Sequence, residues 1–205
     1  MKKQSKTGFT LLELLIVIAI IAILSVILII VINPAETLKK SRDVQRMSDL
    51  NTLKTALGLV MTSSSTPYLD GIANDTCAGG GGTKTEYLSQ TGYTSGFATG
   101  FTAFGATAGA ATVDGTGWIP VGFSSLSGGS PLSNLPLDPI NTAGAGALAN
   151  ASFVYRYTCQ KSPLTFEIDV PLESTAYTVD DNKLAKDGGN SANLYEVGTS
   201  LTIQD

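Results

Sequence analysis

The sequence has no histidine. That removes the usual Ser-His and Cys-His nucleophilic pairs and the commonest metal ligand. It has two cysteines, Cys77 and Cys159, too few for a zinc site without histidines. Two buried thiols remain possible, but in an exported domain one disulfide closing a loop of about 80 residues is the better reading. Basic residues are sparse after Arg46, where only Lys54, Lys84, Arg156, Lys161, Lys183 and Lys186 occur. The net charge is −4, and without the three lysines Lys2, Lys3 and Lys6 it falls to −7. Binding a phosphate backbone needs clustered Lys and Arg, so no nucleic-acid partner is expected for the acidic remainder. No A-x-A cleavage pattern follows the apolar run near the N-terminus, which argues against a removable secretory signal.

What the sequence has in plenty is apolar residues, unevenly spread. Residues 14–32, LLIVIAIIAILSVILIIVI, carry no charge and only one polar side chain, Ser25. A hydrocarbon core of about 30 Å takes about 20 residues of helix, so this run is read as a retained transmembrane helix. Lys2, Lys3 and Lys6 precede it and Lys39, Lys40, Arg42 and Arg46 follow it, a balance that does not fix its orientation. Asn33-Pro34 then predicts a break or kink, since proline lacks a donor and disfavours a helical residue before it.

Beyond the break, Val44, Met47, Leu50, Leu53, Leu57, Val60 and Met61 recur at spacings of three and four. The charges at Lys40, Arg42, Asp43, Arg46, Asp49 and Lys54 fall mostly between them, predicting an amphipathic helix with one solvated face. Pro67 stops it. Residues 74–150 are rich in Gly, Thr, Ser and Ala and are read as a long loop with short strands or a small helix. Within them Trp118-Ile119-Pro120-Val121 and Leu135-Pro136-Leu137-Asp138-Pro139 look like ordered anchors. From residue 152, SFVYRYTC and LTFEIDVPLES alternate as two strands of a hairpin, and NLYEVGTSLTI offers a third. The expected fold is α+β, with a helix whose apolar stripe packs on a small antiparallel sheet.

Gly8-Phe9-Thr10-Leu11-Leu12-Glu13, after a lysine-containing leader and before an unbroken apolar run, resembles the prepilin signature of type IV pilins and type II secretion pseudopilins. Leu135-Pro136-Leu137-Asp138-Pro139 with Tyr155 and Tyr157 is similar to the region just before the sheet of major pseudopilins. Asp187-Gly188-Gly189 and Tyr195-Glu196-Val197-Gly198 resemble the C-terminal segment of bacterial pilin-like proteins. Pro34 lies later than the proline often found within the span of type IV pilins.

The resemblance implies a type IV pilin-like fold in four parts: a leader over 1–8, a transmembrane helix over 9–32, an amphipathic helix over 33–66, and a globular head over 67–205. It implies cleavage between Gly8 and Phe9 by a membrane prepilin peptidase, N-methylation of Phe9, and an assembly role for Glu13. The expected product is a structural filament subunit, not an enzyme, anchored by one pass in the cytoplasmic membrane with its head outside. Its partners would be copies of itself and the membrane assembly machinery of a pilus or secretion pseudopilus. A minor pilin that binds DNA or a surface, and a membrane-anchored protein of other function, are the alternatives.

Glu13 is the odd residue of the signature. A carboxylate at mid-helix in a membrane costs about 2.5–3.5 kcal/mol, and less near an end, so a bland interfacial position is one reading. Cleavage at Gly8 would instead give Phe9 a cationic amine one helical turn from Glu13, able to pair with the glutamate of a neighbouring subunit. Elsewhere, GGGGTKT at 79–85 lacks the strand-loop-helix context and the Gly-Lys-Ser/Thr order of a phosphate loop and is read as a flexible loop. Glu167 and Asp169 share a strand face as catalytic carboxylates do, but a solvated face is expected. No cofactor is required; Asp180, Asp181 and Asp187 lie in the loop where the resemblance allows calcium, and a plain acidic turn is the favoured reading of it.

Overall fold

The computed structural model describes residues 8–105, 110–142, 144 and 146–204. The leader lysines Lys2, Lys3 and Lys6 and part of the Gly-rich stretch lie outside them. The chain divides into two compact units, residues 1–39 and 40–205.

The first unit carries helix α1, Leu11–Ile32, and the start of α2, Pro34–Ser63. Every residue of α1 is exposed, and at 22 residues it is long and apolar enough to cross a membrane. The break expected at Asn33-Pro34 is present. Asn33 adopts a left-handed conformation (φ 44°, ψ 75°) and ends α1. Its carbonyl accepts the N–H of Glu36 and Thr37, and its Oδ1 accepts Glu36 N–H at 3.4 Å. Pro34, with no N–H to satisfy, then occupies the first position of α2.

In the second unit, α2 buries Asp43, Arg46, Leu50, Leu53, Ala56, Leu57 and Val60. The apolar stripe expected from Leu50 onward is correct, but its N-terminal extension is not. Val44 is exposed, Met47 is half-buried, and Asp43 and Arg46, expected on the solvated face, are fully buried. Positions 43, 46, 50, 53, 57 and 60 hold the same 3-4 spacing, so the face continues in phase with charged residues at its first turn. Burial is tolerable because the charges are paired. Arg46 gives Nε and Nη2 to Asp138 at 2.6 and 3.1 Å, and Nη1 to Asp43 and Glu173 at 2.8 Å each. Burial opposes the Arg46 charge, but these bonds more than offset it and hold its pKa above the ordinary value. Arg42 grips Glu173 through two bonds of 2.6 and 2.7 Å.

Among the described residues seven strands follow: β1 Thr85–Leu88, β2 Tyr93–Ser95, β3 Ala103–Phe104, β4 Gly146–Ala147, β5 Arg156–Gln160, β6 Thr165–Val170 and β7 Tyr195–Gly198. Five form one sheet in the order β3-β1-β5-β6-β7, and β2 pairs with β4 separately. The β5–β6 hairpin and the β7 strand match the expected alternation. The five-stranded sheet is not purely antiparallel as expected: β1–β3 is a parallel pair, as is the separate β2–β4, and both are drawn from the Gly-rich region. One sheet face presents Tyr157, Cys159, Phe166, Ile168 and Val170, which form a single buried cluster with Leu50, Leu53 and Leu57 of α2. Trp118 and Leu135 belong to it too, and the Trp118 indole donates to the Pro136 carbonyl at 3.1 Å, so both expected anchors are ordered.

Candidate functional site

Gly8 and Phe9 stand just before α1 and are open, with Phe9 86% exposed. Thr10 is the N-cap: its Oγ1 accepts Glu13 N–H at 3.2 Å, and Glu13 Oε2 accepts Thr10 N–H and Oγ1–H at 2.9 Å each. This is a capping box, in which two orphan donors of the first turn are satisfied reciprocally. Thr10-Leu11-Leu12-Glu13 spells the T-x-x-E pattern, a signal the sequence reading passed over. Glu13 therefore has a local role independent of any other subunit.

Cys77 and Cys159, 82 positions apart in sequence, are joined in a disulfide with Cα atoms 4.7 Å apart. Residues 69–76 deliver Cys77 to β5. Asp70 accepts the N–H of Ile72, Asn74 and Thr76 at 2.7–2.8 Å, while Asn74 takes Leu69 N–H. Ala73 and Asn74 both adopt left-handed conformations to make that turn. The GGGGTKT segment folds onto its own lysine, whose Nζ donates to the Gly80 and Gly82 carbonyls. Carbonyls aimed at a cation are the reverse of the N–H cradle a phosphate needs.

The three loop aspartates are not brought together as a cation cage. Asp180 is exposed, Asp181 pairs with Lys183 and Lys186, and Asp187 accepts the N–H of Gly189 and Glu196. Bonds from the two lysines hold the Asp181 carboxyl down at about 2. Among the described residues, the carboxylates close enough to share an ion are Glu167, Asp169 and Glu196, with one oxygen of each within 4.8 Å of the others.

Glu167 and Asp169, expected on a solvated face, are both fully buried. Alternation does put them opposite Phe166, Ile168 and Val170, but that face is covered as well. Ala98, Phe101 and Ile203 form a separate apolar cluster there, and Ala98 N–H donates to the buried Glu86 at 2.9 Å. Burial, with Glu196 beside it, pushes the Glu167 carboxyl up to about 8. Burial and the neighbouring Glu167 and Glu196 push Asp169 up as well. Perturbed carboxyls of this kind can mark catalysis, but a reacting group must reach its substrate, and these are sealed from solvent.

The family model that decides the reading matches the other end of the chain: the prokaryotic N-terminal methylation motif covers residues 3–29. This chain carries the type IV pilin-like signature. No curated protein and no solved structure matches the chain. The pilin-like signature spans Gly8, Phe9 and Glu13 and most of α1. It supports a type IV pilin/pseudopilin-like, membrane-anchored precursor and points to a structural protein, not an enzyme. The α+β layout, a long N-terminal apolar helix with a small mixed sheet, is consistent with a pilin-like fold.

Proposed function

We propose that this chain is a filament subunit, made as a single-pass membrane precursor and assembled through its N-terminal helix. The observation that carries this reading is the methylation motif over residues 3–29. A prepilin peptidase on the cytoplasmic side cuts between Gly8 and Phe9, and the new amine of Phe9 is methylated. Copies of α1 then leave the membrane and pack on one another in the core of a pilus or secretion pseudopilus, with the disulfide-closed head outside. The uncovered apolar surface of α1 suits both stages, since lipid and neighbouring helices are alike apolar.

Glu13 sets the register of that packing. Both hydrogen bonds to its carboxylate use Oε2, so Oε1 lies outside the capping box. The cationic amine of a neighbour's Phe9 pairs with it, neutralising two charges that a low-dielectric helix bundle penalises. Mass spectrometry of the native N-terminus tests the processing: a species beginning at N-methylated Phe9 is expected, and a mature chain beginning at Met1 overturns it. Glu13→Ala and Glu13→Gln test assembly. Glutamine keeps a capping-box acceptor but loses the charge, so both variants should enter the membrane and both should fail to form ordered filaments. Normal filaments from Glu13→Gln would reduce the residue to a helix cap.

A further inference from the structure

The covered face of the sheet holds a row of charged residues in register. Arg156 on β5 lies opposite Asp169 on β6, and Asp169 opposite Glu196 on β7; one step along, Thr158 lies opposite Glu167. Glu86 on β1 is also buried. Among the described residues four carboxylates thus share this layer with a single guanidinium. Arg156 spends Nη2 on the Ala149 carbonyl at 2.6 Å, and its Nε has no partner.

The carboxylates are held in a particular way. Glu167 Oε2 accepts the N–H of Ile203 and Gln204 at 2.6 and 3.0 Å, and Glu196 Oε2 accepts Ser191 N–H at 2.9 Å. The other oxygen of each, Oε1, is buried without a partner, and both oxygens of Asp169 are buried without one. The Thr158 hydroxyl, at the strand position opposite Glu167 and on a side chain with no exposure, also lacks a partner. Backbone amides fix one oxygen of two carboxylates, the other oxygens are buried and unpaired, and one oxygen of each of the three carboxylates lies within 4.8 Å of the others. Ligands of a bound metal are oriented by outer contacts in this manner. Asp187 supports the arrangement by accepting Glu196 N–H at 2.9 Å, and a Cβ at Gly189 would overlap the Glu196 carboxylate.

We propose that Glu167, Asp169 and Glu196, with the Thr158 hydroxyl, form a site for one calcium-class divalent cation, sealed beneath the segment Ser200–Gln204. An all-oxygen donor set selects a hard cation. Calcium accepts bidentate carboxylates in irregular geometry, whereas magnesium demands a near-ideal octahedron and keeps several waters, an arrangement that protein oxygens held on two neighbouring strands do not favour. The bound ion supplies the positive charge that the row lacks. It also latches the C-terminal segment, because Glu167 holds the ion on one edge and the Ile203 and Gln204 amides on the other. This site is separate from the loop of Asp180, Asp181 and Asp187.

The test uses the full chain in detergent micelles, stripped with a chelator and returned to calcium alone or magnesium alone. Equilibrium dialysis should find one calcium per chain, with magnesium bound more weakly. Hydrogen exchange at the Ile203 and Gln204 amides should slow about tenfold at calcium ten times its Kd, if those amides exchange only from the unlatched form. Asp169→Asn and Glu196→Gln, each confirmed folded by circular dichroism, should lose binding, while Asp181→Asn should keep it. No bound calcium, or exchange at these amides that responds to pH but not to calcium, overturns the site in favour of protons shared among the carboxyls. Binding lost in Asp181→Asn and kept in Asp169→Asn overturns it as well. None of these outcomes depends on cleavage or filament formation.

Discussion

The two faces of the central sheet come from the same strands and meet opposite chemistry. On one, Tyr157, Phe166, Ile168 and Val170 merge with the α2 stripe into a dry apolar core, stapled by Cys77–Cys159. On the other, Glu86, Arg156, Thr158, Glu167, Asp169 and Glu196 are equally buried, under a lid of Gly-rich chain and the segment ending at Gln204. The first face gains stability from burial itself, by area removed from water. The second must satisfy every polar atom it hides, and several are left without a partner. Burial alone therefore says little about which face holds the domain together.

The largest expected effect lies on the apolar face. Phe166→Ala should lower unfolding stability by about 3–5 kcal/mol, read from denaturant midpoints, because the cavity it leaves is enclosed on all sides. A loss near zero would mean that the core does not depend on the sheet.

An intermediate effect is expected where α2 meets the loops of the head. Glu173→Ala removes the bidentate partner of Arg42 and one acceptor of Arg46 and should cost about 2 kcal/mol. Burial opposes the Glu173 charge, but the two arginines hold its carboxyl below the ordinary range. Its contribution is thus complete above the unfolded carboxylate pKa and is lost as pH falls through the lower folded value. Acid titration of wild type and Glu173→Ala should therefore converge below the ordinary carboxylate range; parallel curves would remove the linkage.

The smallest effect should come from the polar face, and it sharpens the contrast most. Thr158→Val replaces a buried, partnerless hydroxyl with a methyl group of similar shape. Without calcium, stability should change by less than about 1 kcal/mol and in the favourable direction. A loss comparable to that of Phe166→Ala would show that the hydroxyl already has a partner.

Local signals carried much of the fold. The span of α1, the break at Asn33-Pro34, the stripe from Leu50 to Val60 and the alternation of β5 and β6 all rest on short-range periodicity and backbone sterics. The same signals went wrong where burial needed a distant partner. Val44 and Met47 are apolar, yet Asp43 and Arg46 are the buried pair, because Asp138 and Glu173 wait across the fold to receive them. Glu167 and Asp169 alternate correctly with their apolar neighbours, but alternation gives the face and not what covers it. The cover comes from residues 97–101 and 203–204, remote in sequence and poor in periodic pattern.

The sequence by itself determined the N-terminal motif, the membrane-length helix and the positions where regular structure starts and stops, because these depend on neighbours within a turn or two. Only the tertiary structure decided which charges are hidden. It also decided that three carboxylates of two strands stand within reach of one ion. The cost of burying a charge is set by groups that folding brings from far along the chain.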